Sequence, residues 1–486
     1  MAIQAVEERS VPSAGARTAV MAYVVVSALV FLLMMLLGLT MRLNQAQWIE
    51  IQPDIFYMIM TMHGAGAVGT ATLAGSAIMW YFLRKYVPVS TTVFVVNLVF
   101  FLIGALFVLG SGFIGGFGAG WTFLYPLPAI SGEAWTANAA AAYMVGLLII
   151  GTGFLLFYLD VARGILSVYG SFAASLGLKQ VLGLAPEKDG PPPAVAASTM
   201  ALIANTVGIV FGAAVLVMSI VNLYVPSFTF DFLVAKNMIY FFGHVFVNVT
   251  IYMAAIGVYE ILPVYTHRAW KTNRAFYMGW VASTVLVLTV YTHHLLMDFA
   301  NPTWAHAAGQ ILSWTSGLPV FLVTMFGALT NVYRSGIKWN APAGLAFLGV
   351  AGWALGVVPA IIDSTIQVNS VMHNTLWVPG HFHTYILLGM VAMFLSFMTY
   401  IGAVKTDMLA SISFWLYAIG GSVFVLAFLS GGAASVPRRY AAHLPEWLTH
   451  DRVGSIGASL LILGTLIFVL RFLVCLPAAS KSESGR

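Results

Sequence analysis

The sequence predicts an all-α, polytopic membrane protein built as a twelve-transmembrane-helix bundle, and three observations predict it. Of the 486 residues, 60% are apolar or aromatic and only 8% are charged, against about 25% charged in an ordinary globular protein. The 21 basic and 16 acidic side chains cannot give a chain of 52.3 kDa a water-soluble surface, so lipid must cover most of it. The apolar stretches are long and continuous, whereas barrel strands would alternate with a period of two. The basic residues, finally, are distributed unevenly between the connecting segments, as they are when cytoplasmic loops collect Lys and Arg.

A helix needs about 20 apolar residues to span the ~30 Å hydrocarbon layer. Twelve runs reach that length: 19–40, 53–83, 91–113, 138–160, 199–224, 232–262, 274–298, 309–331, 342–363, 376–402, 412–434 and 455–476. The first is too long for a signal-peptide core, and Glu7 and Glu8 precede it rather than a basic head. It reads as an uncleaved span. With the amino terminus cytoplasmic, sixteen of the 21 basic residues fall inside, and only Arg42, Lys236, Arg438, Arg439 and Arg452 fall outside. Residues 1–18 and 477–486 are then cytoplasmic tails. Residues 161–198 form the one long breaker-rich linker, with Pro191, Pro192 and Pro193 beside Glu187, Lys188 and Asp189. No soluble domain fits inside it and no repeat is evident, so residues 19–476 are expected to form one membrane domain. The net charge of +5 therefore points to the bilayer and not to nucleic acid. Cys475 is the only cysteine, which excludes an internal disulfide, a CxxC zinc site, a CxxCH haem attachment and a thiolate-bridged copper pair.

The eleven histidines carry the chemistry. Loop positions account for His267, His306, His443 and His450, which read as solvated or interfacial. The other seven, His63, His244, His293, His294, His373, His381 and His383, lie within spans or at their outer ends. Ionisable groups at that depth are costly and mark function, and neutral imidazole is the commonest ligand for iron and copper. On a helix His381 and His383 are about 200° apart, so each must serve a different partner, which suggests two flat cofactors flanking one helix. His63 is the isolated candidate to pair with one of them. His293 and His294 both reach one ion only if it lies between their directions, and His244 on the preceding span can supply a third nitrogen.

Five motifs carry a resemblance: Gly243-His244, Tyr291-Thr292-His293-His294, Pro379-Gly380-His381-Phe382-His383, Gly118-Ala119-Gly120-Trp121-Thr122 and Pro437-Arg438-Arg439-Tyr440. In order and spacing the chain resembles subunit I of the haem–copper oxidase superfamily, which includes terminal oxygen reductases and nitric oxide reductases. The resemblance implies that His63 and His383 are the axial ligands of a low-spin haem and that His381 is the single axial ligand of a high-spin haem. It implies that His244, His293 and His294 hold a non-haem metal opposite that haem's open face. Arg438 and Arg439 resemble the pair that neutralises haem propionates, a role for which guanidinium forks are suited, and His373 is expected to support the same region. Three neutral imidazoles suit copper or iron, and the lack of an added carboxylate tilts the reading toward copper.

One departure bears on the substrate. Oxygen reductases of one subgroup carry a tyrosine four residues after the sixth-span histidine; here that position is Asn248, one turn from His244 on the same face. An amide supplies neither an electron nor a proton near neutral pH. Reduction of two NO to N2O and water needs no O–O cleavage, so the chain resembles an outlying nitric oxide reductase branch. The best-known reductases place glutamates near this metal, and the next glutamate after His244 is Glu260. An oxygen reductase that uses Tyr252 or Tyr291 as its phenol is the alternative, and a twelve-span transporter with proton-relaying histidines is a third reading. Electrons must enter from another polypeptide, expected to be a membrane-anchored subunit with a copper or c-type haem domain, served by a soluble cytochrome c or cupredoxin. Glu260, Tyr259, Tyr252 and Thr250 form a proton ladder from the inside, with Asp363, Gln367, Asp298 and Glu133 as outer candidates.

Overall fold

The computed structural model describes residues 13–479, so residues 1–12 and 480–486 of the expected tails, with Arg9, Lys481 and Arg486, lie outside the described residues. Among the described residues the chain is helical with no strand, apart from an isolated bridge between Thr375 and Pro437. The long helices begin where the sequence offers a short polar cap. Ser13 starts α1 (Ala14–Gln45), Ser90 starts α3 (Thr91–Phe113) and Thr136 starts α4 (Ala137–Tyr169), each hydroxyl accepting an amide of the first turn. Between α1 and α3, α2 (Pro53–Leu83) begins on a proline, which gives up an amide that the first turn would leave unpaired.

The expected linker is shorter than the sequence indicated. Helix α4 continues to Tyr169 and α5 (Pro193–Tyr224) begins inside the proline run, so only 170–192 remains, holding two single-turn helices and a 3-10 turn. Helix α6 (Phe232–Thr266), capped by Asp231, carries His244 and Asn248.

Eleven helices among the described residues are long and apolar enough to cross a membrane. The predicted run 274–298 departs from this. It is a 14-residue helix, α7 (Arg274–Val287), followed by a 3-10 segment, Val290–Leu295, that holds His293 and His294. The eighth span breaks too, into α8 (Thr303–Ser316) and α9 (Leu318–Val332), where Pro319 near the start of α9 cannot continue the ladder of its predecessor. After α10 (Ala341–Asp363) and the short α11 (Ile366–Met372), α12 (Trp377–His383) passes into a π-helical stretch, Thr384–Val391, and then α13 (Ala392–Ile401). Helices α14 (Met408–Ala433) and α15 (Leu448–Ala479) complete the bundle. They pack closely through glycines, since a Cβ on Gly420 would stand 2.4 Å from the Leu461 amide nitrogen and one on Gly457 2.6 Å from that of Phe424.

Burial sorts the helices by role. Within an 18-residue apolar stretch of each span, 83% of residues are buried in α6, which carries His244, and in α12 to α13, which carry His381 and His383, and 78% in α2, which carries His63. By contrast only 33% of the corresponding stretch is buried in α3 and in α15, which expose leucines and valines to what would be lipid. His63, His244, His381 and His383 therefore sit on the central rods.

Candidate haem and metal site

A cavity of about 480 Å³ lies between these rods, and His63, His383, His381, His244, His293 and His294 all line it. His63 and His383 face each other with ring centroids 6.1 Å apart and planes 17° from parallel. An iron atom bound to both at about 2 Å per bond, with about 1 Å from each nitrogen to its ring centre, needs a separation of about 6 Å. The second ring nitrogens are already engaged. His63 Nδ1 bonds the Met34 carbonyl at 2.7 Å and His383 Nδ1 the Pro379 carbonyl at 2.6 Å, which leaves both Nε2 atoms free for a metal. Phe428 stacks on the outer face of His383 with centroids 5.3 Å apart. The pair fits a bis-imidazole haem.

On the other side of the cavity, His244 Nδ1 stands 3.0 Å from His294 Nε2, which stands 3.1 Å from His293 Nε2. One ligand nitrogen from each of the three lies within 4.8 Å of the others, and no carboxylate joins the cluster among the described residues. The break after α7 makes this convergence work, because a segment off the regular helix turns both adjacent rings to one point. His293 Nδ1 and Thr292 Oγ1 are buried without hydrogen-bond partners. This donor set fits one metal ion held by imidazole alone. His381 takes the opposite direction from His383, as the 200° spacing requires. Its ring packs edge-on against Tyr385 at 5.3 Å, and its Nδ1 faces Asp363 Oδ2 at 3.4 Å.

Asn248 lies where the helical register places it. Its Nδ2 donates to the His244 carbonyl at 2.8 Å and sits 3.3 Å from His244 Nε2, so the amide lies along the imidazole and lines the cavity. The two alternative phenols part company. Tyr291 donates to Asn237 Oδ1 at 3.2 Å, away from the cavity wall, whereas Tyr252 lines the cavity between Trp280 and Trp353.

Arg438, Arg439 and His373 line one end of the cavity. The Arg438 amide donates to the Asn374 carbonyl at 2.9 Å, which ties the two segments together, and its Nε is buried without a partner. A half-buried guanidinium with an unpartnered Nε, beside an exposed second one, fits acidic groups such as haem propionates. Burial and then Arg439 bring Arg438 down to about 10, and burial and then Arg438 hold His373 at about 4.

The proton ladder is only partly assembled. Tyr259 shares a 2.6 Å hydrogen bond with Thr324 of α9. The Glu260 carboxylate turns instead to the turn that follows α2, where Lys85 Nζ stands at 3.0 Å and the Tyr86 hydroxyl donates at 2.8 Å. Burial and then Glu260 push that phenol up. Of the outer candidates, Asp298 pairs with Lys236 at 2.6 Å, while Glu133 and Gln367 are exposed. His443, expected to be solvated, is buried, and its Nδ1 bonds Asp451 Oδ2 at 2.7 Å. Its partner was invisible in the sequence because it lies in the following helix. Tyr385 was also missed, although its place one turn after His381 was the available signal.

Trp121 ties the two halves of the site together. A Cβ on Gly64, next to His63, would stand 2.5 Å from its ring, and one on Gly243, next to His244, would stand 3.6 Å away.

Comparison with known proteins bears on the fold and the family. The chain is 24% identical over 457 residues to a cytochrome c oxidase subunit 1 of Bacillus sp. (strain PS3), covering 88% of this chain and 70% of that one. It is 27% identical over 241 residues to a cytochrome c oxidase polypeptide 1 of Halobacterium salinarum, spanning 48% of this chain and 40% of that protein. A solved structure described as a heme-copper terminal oxidase dimer superposes with a TM-score of 0.80 at 20% identity, over 97% of this chain and 85% of that one, a likeness of fold. The profile of the family "Cytochrome C and Quinol oxidase polypeptide I" matches residues 18–460, and the chain belongs to that haem–copper oxidase subunit I family.

Proposed function

We propose that this oxidoreductase is the catalytic subunit of a respiratory nitric oxide reductase, taking two NO, two electrons and two protons to N2O and water. The reading rests above all on Asn248, whose amide lies 3.3 Å from His244 Nε2 where a phenol would serve oxygen reduction. When bound, a low-spin haem between His63 and His383, a high-spin haem on His381 and a metal on His244, His293 and His294 supply electrons and open coordination positions. The absence of a carboxylate from the three-histidine cluster among the described residues favours copper over iron.

The chain's own groups do the rest. Asn248 offers an amide dipole but no titratable proton, so protons must arrive by relay. Tyr259 of α6, bonded to Thr324 of α9, lies two turns beyond Tyr252 on the cavity wall, and Glu260 is a second polar group at that end. Arg438 and Arg439 bind propionates, with His373 in support. The excess of basic residues on one side supports cytoplasmic termini in an inner membrane, within one membrane domain. A membrane-anchored subunit with a copper or c-type haem domain delivers electrons from a soluble cytochrome c or cupredoxin, because Cys475 alone builds neither centre.

Oxygen reduction is the second reading, favoured by the two phenols of Tyr252 and Tyr385 on the cavity wall and by the oxidase names of the relatives. Family membership leaves the transporter reading without support. Turnover of the purified complex under anaerobic NO, with N2O measured, and separately under air decides between them. The proposal expects fast N2O formation with slow O2 uptake, and Asn248→Tyr to raise the O2 rate. Fast O2 uptake without N2O would refute it.

A further inference from the structure

Three imidazoles in this cavity are positioned for haem iron, and their remaining nitrogens have different partners. His63 Nδ1 bonds the Met34 carbonyl at 2.7 Å and His383 Nδ1 the Pro379 carbonyl at 2.6 Å, both neutral acceptors. His381 Nδ1 instead faces a carboxylate, Asp363 Oδ2, at 3.4 Å. We infer that Asp363 is the positioning residue that makes His381 a more basic, more anionic ligand and so lowers the reduction potential of the haem on it; this rests on the proposed ligand role of His381.

The carboxylate is built into place. Asp363 ends α10, and Asn369 Nδ2 donates to both its carbonyl at 2.6 Å and its Oδ1 at 3.1 Å. Oδ2 is thereby left toward His381. Both side chains are sheltered, His381 at 22% and Asp363 at 13% exposure, and Tyr385 packed on the imidazole limits its rotation. A carboxylate facing Nδ1 at this distance favours positive charge on that edge of the ring and makes the opposite nitrogen a stronger donor to a metal, the effect that outer partners have on metal-bound histidines. A more electron-rich ligand and a nearby negative charge both favour ferric over ferrous iron. The low-spin pair, with carbonyl acceptors only, lacks this bias, so Asp363 acts on one haem of the two.

The test is resonance Raman of the iron–imidazole stretch in the ferrous, ligand-free complex, with potentiometry of each haem, for the unaltered protein, Asp363→Asn and Asp363→Glu. The unaltered protein should show a stretch in the range of anionic imidazole ligands. Asp363→Asn should lower it and shift the reduction equilibrium of the high-spin haem about tenfold toward ferrous, as loss of a nearby negative charge implies. The low-spin haem should not move, and Asp363→Glu should keep the stretch high. An unchanged stretch and potential in Asp363→Asn would overturn the inference. If that variant does not assemble, a neutral-imidazole stretch in the unaltered protein overturns it equally. Absence of any iron–imidazole band would instead overturn the ligand role of His381.

Discussion

Arg42 and Asp451, 409 residues apart in the chain, form a 2.6 Å ion pair inside the bundle, with the arginine 3% exposed and the aspartate 0%. Gln45 and His443 complete the cluster at 2.7 Å each, and the Arg42 guanidinium lies 4.7 Å over Phe428, the ring stacked on His383. The ion pair therefore joins the first and last spans beside the proposed low-spin haem. Removing one partner of such a pair leaves a buried charge and costs about 3–5 kcal/mol. Asp451→Asn should accordingly lower the thermal unfolding midpoint in detergent sharply. Adding Arg42→Met to that variant should recover most of the loss, because replacing both charges removes the unpaired one.

His63 and His383 are predicted to be interchangeable in their failure. Either one changed to alanine should abolish the low-spin component of the reduced spectrum and cut turnover by at least ~100-fold, since even an outer partner of a ligand costs 10–100-fold. The high-spin component should survive, because His381 faces away from that pair. Optical and electron paramagnetic resonance spectra of the two variants check this.

The pH dependence of stability carries a signature of His373. Burial beside Arg438 holds its folded value at about 4, below the ordinary 6.5. The unfolded chain therefore binds the extra proton first as pH falls. Stability is unaffected by this group above about pH 7 and declines from about 6.5 down to 4, below which the loss is complete. His373→Gln should flatten that part of the profile, read as unfolding midpoints across pH 4–7.

The hydroxyl pair of Tyr259 and Thr324 is expected to move protons and not to hold the fold. Tyr259→Phe should slow turnover by roughly tenfold or more while both haem spectra stay unchanged. Glu260→Gln should act mainly on the Lys85–Tyr86 contact at that end of the bundle. Steady-state rates with parallel spectra separate the two effects.

What could be read from the sequence followed from local rules. Long apolar runs gave the helices, the spacing of His381 and His383 gave two opposed directions, and the register of α6 gave Asn248 its place under His244. The structure added what depends on distant parts of the chain. The seventh span stops at Val287 and continues as a 3-10 segment, a break that no proline announces and that turns His293 and His294 to one point. The partners of Arg42, His443 and His381 lie on other helices, so periodicity could not find them. Glu260 looked like a rung next to Tyr259, yet adjacent helical positions point about 100° apart, and the two engage different neighbours.

Imidazoles from α2, α6, α12 and the segment after α7 are proposed to hold two haems and one further metal ion within the bundle. Quantifying haem, total iron and copper per polypeptide in the purified complex tests this most directly, with any c-type haem of a partner subunit counted separately as covalently bound. Two non-covalent haems and one copper assignable to this chain are expected, with the copper lost on changing His293 or His294. A single haem, or a full metal content that survives those changes, would contradict it.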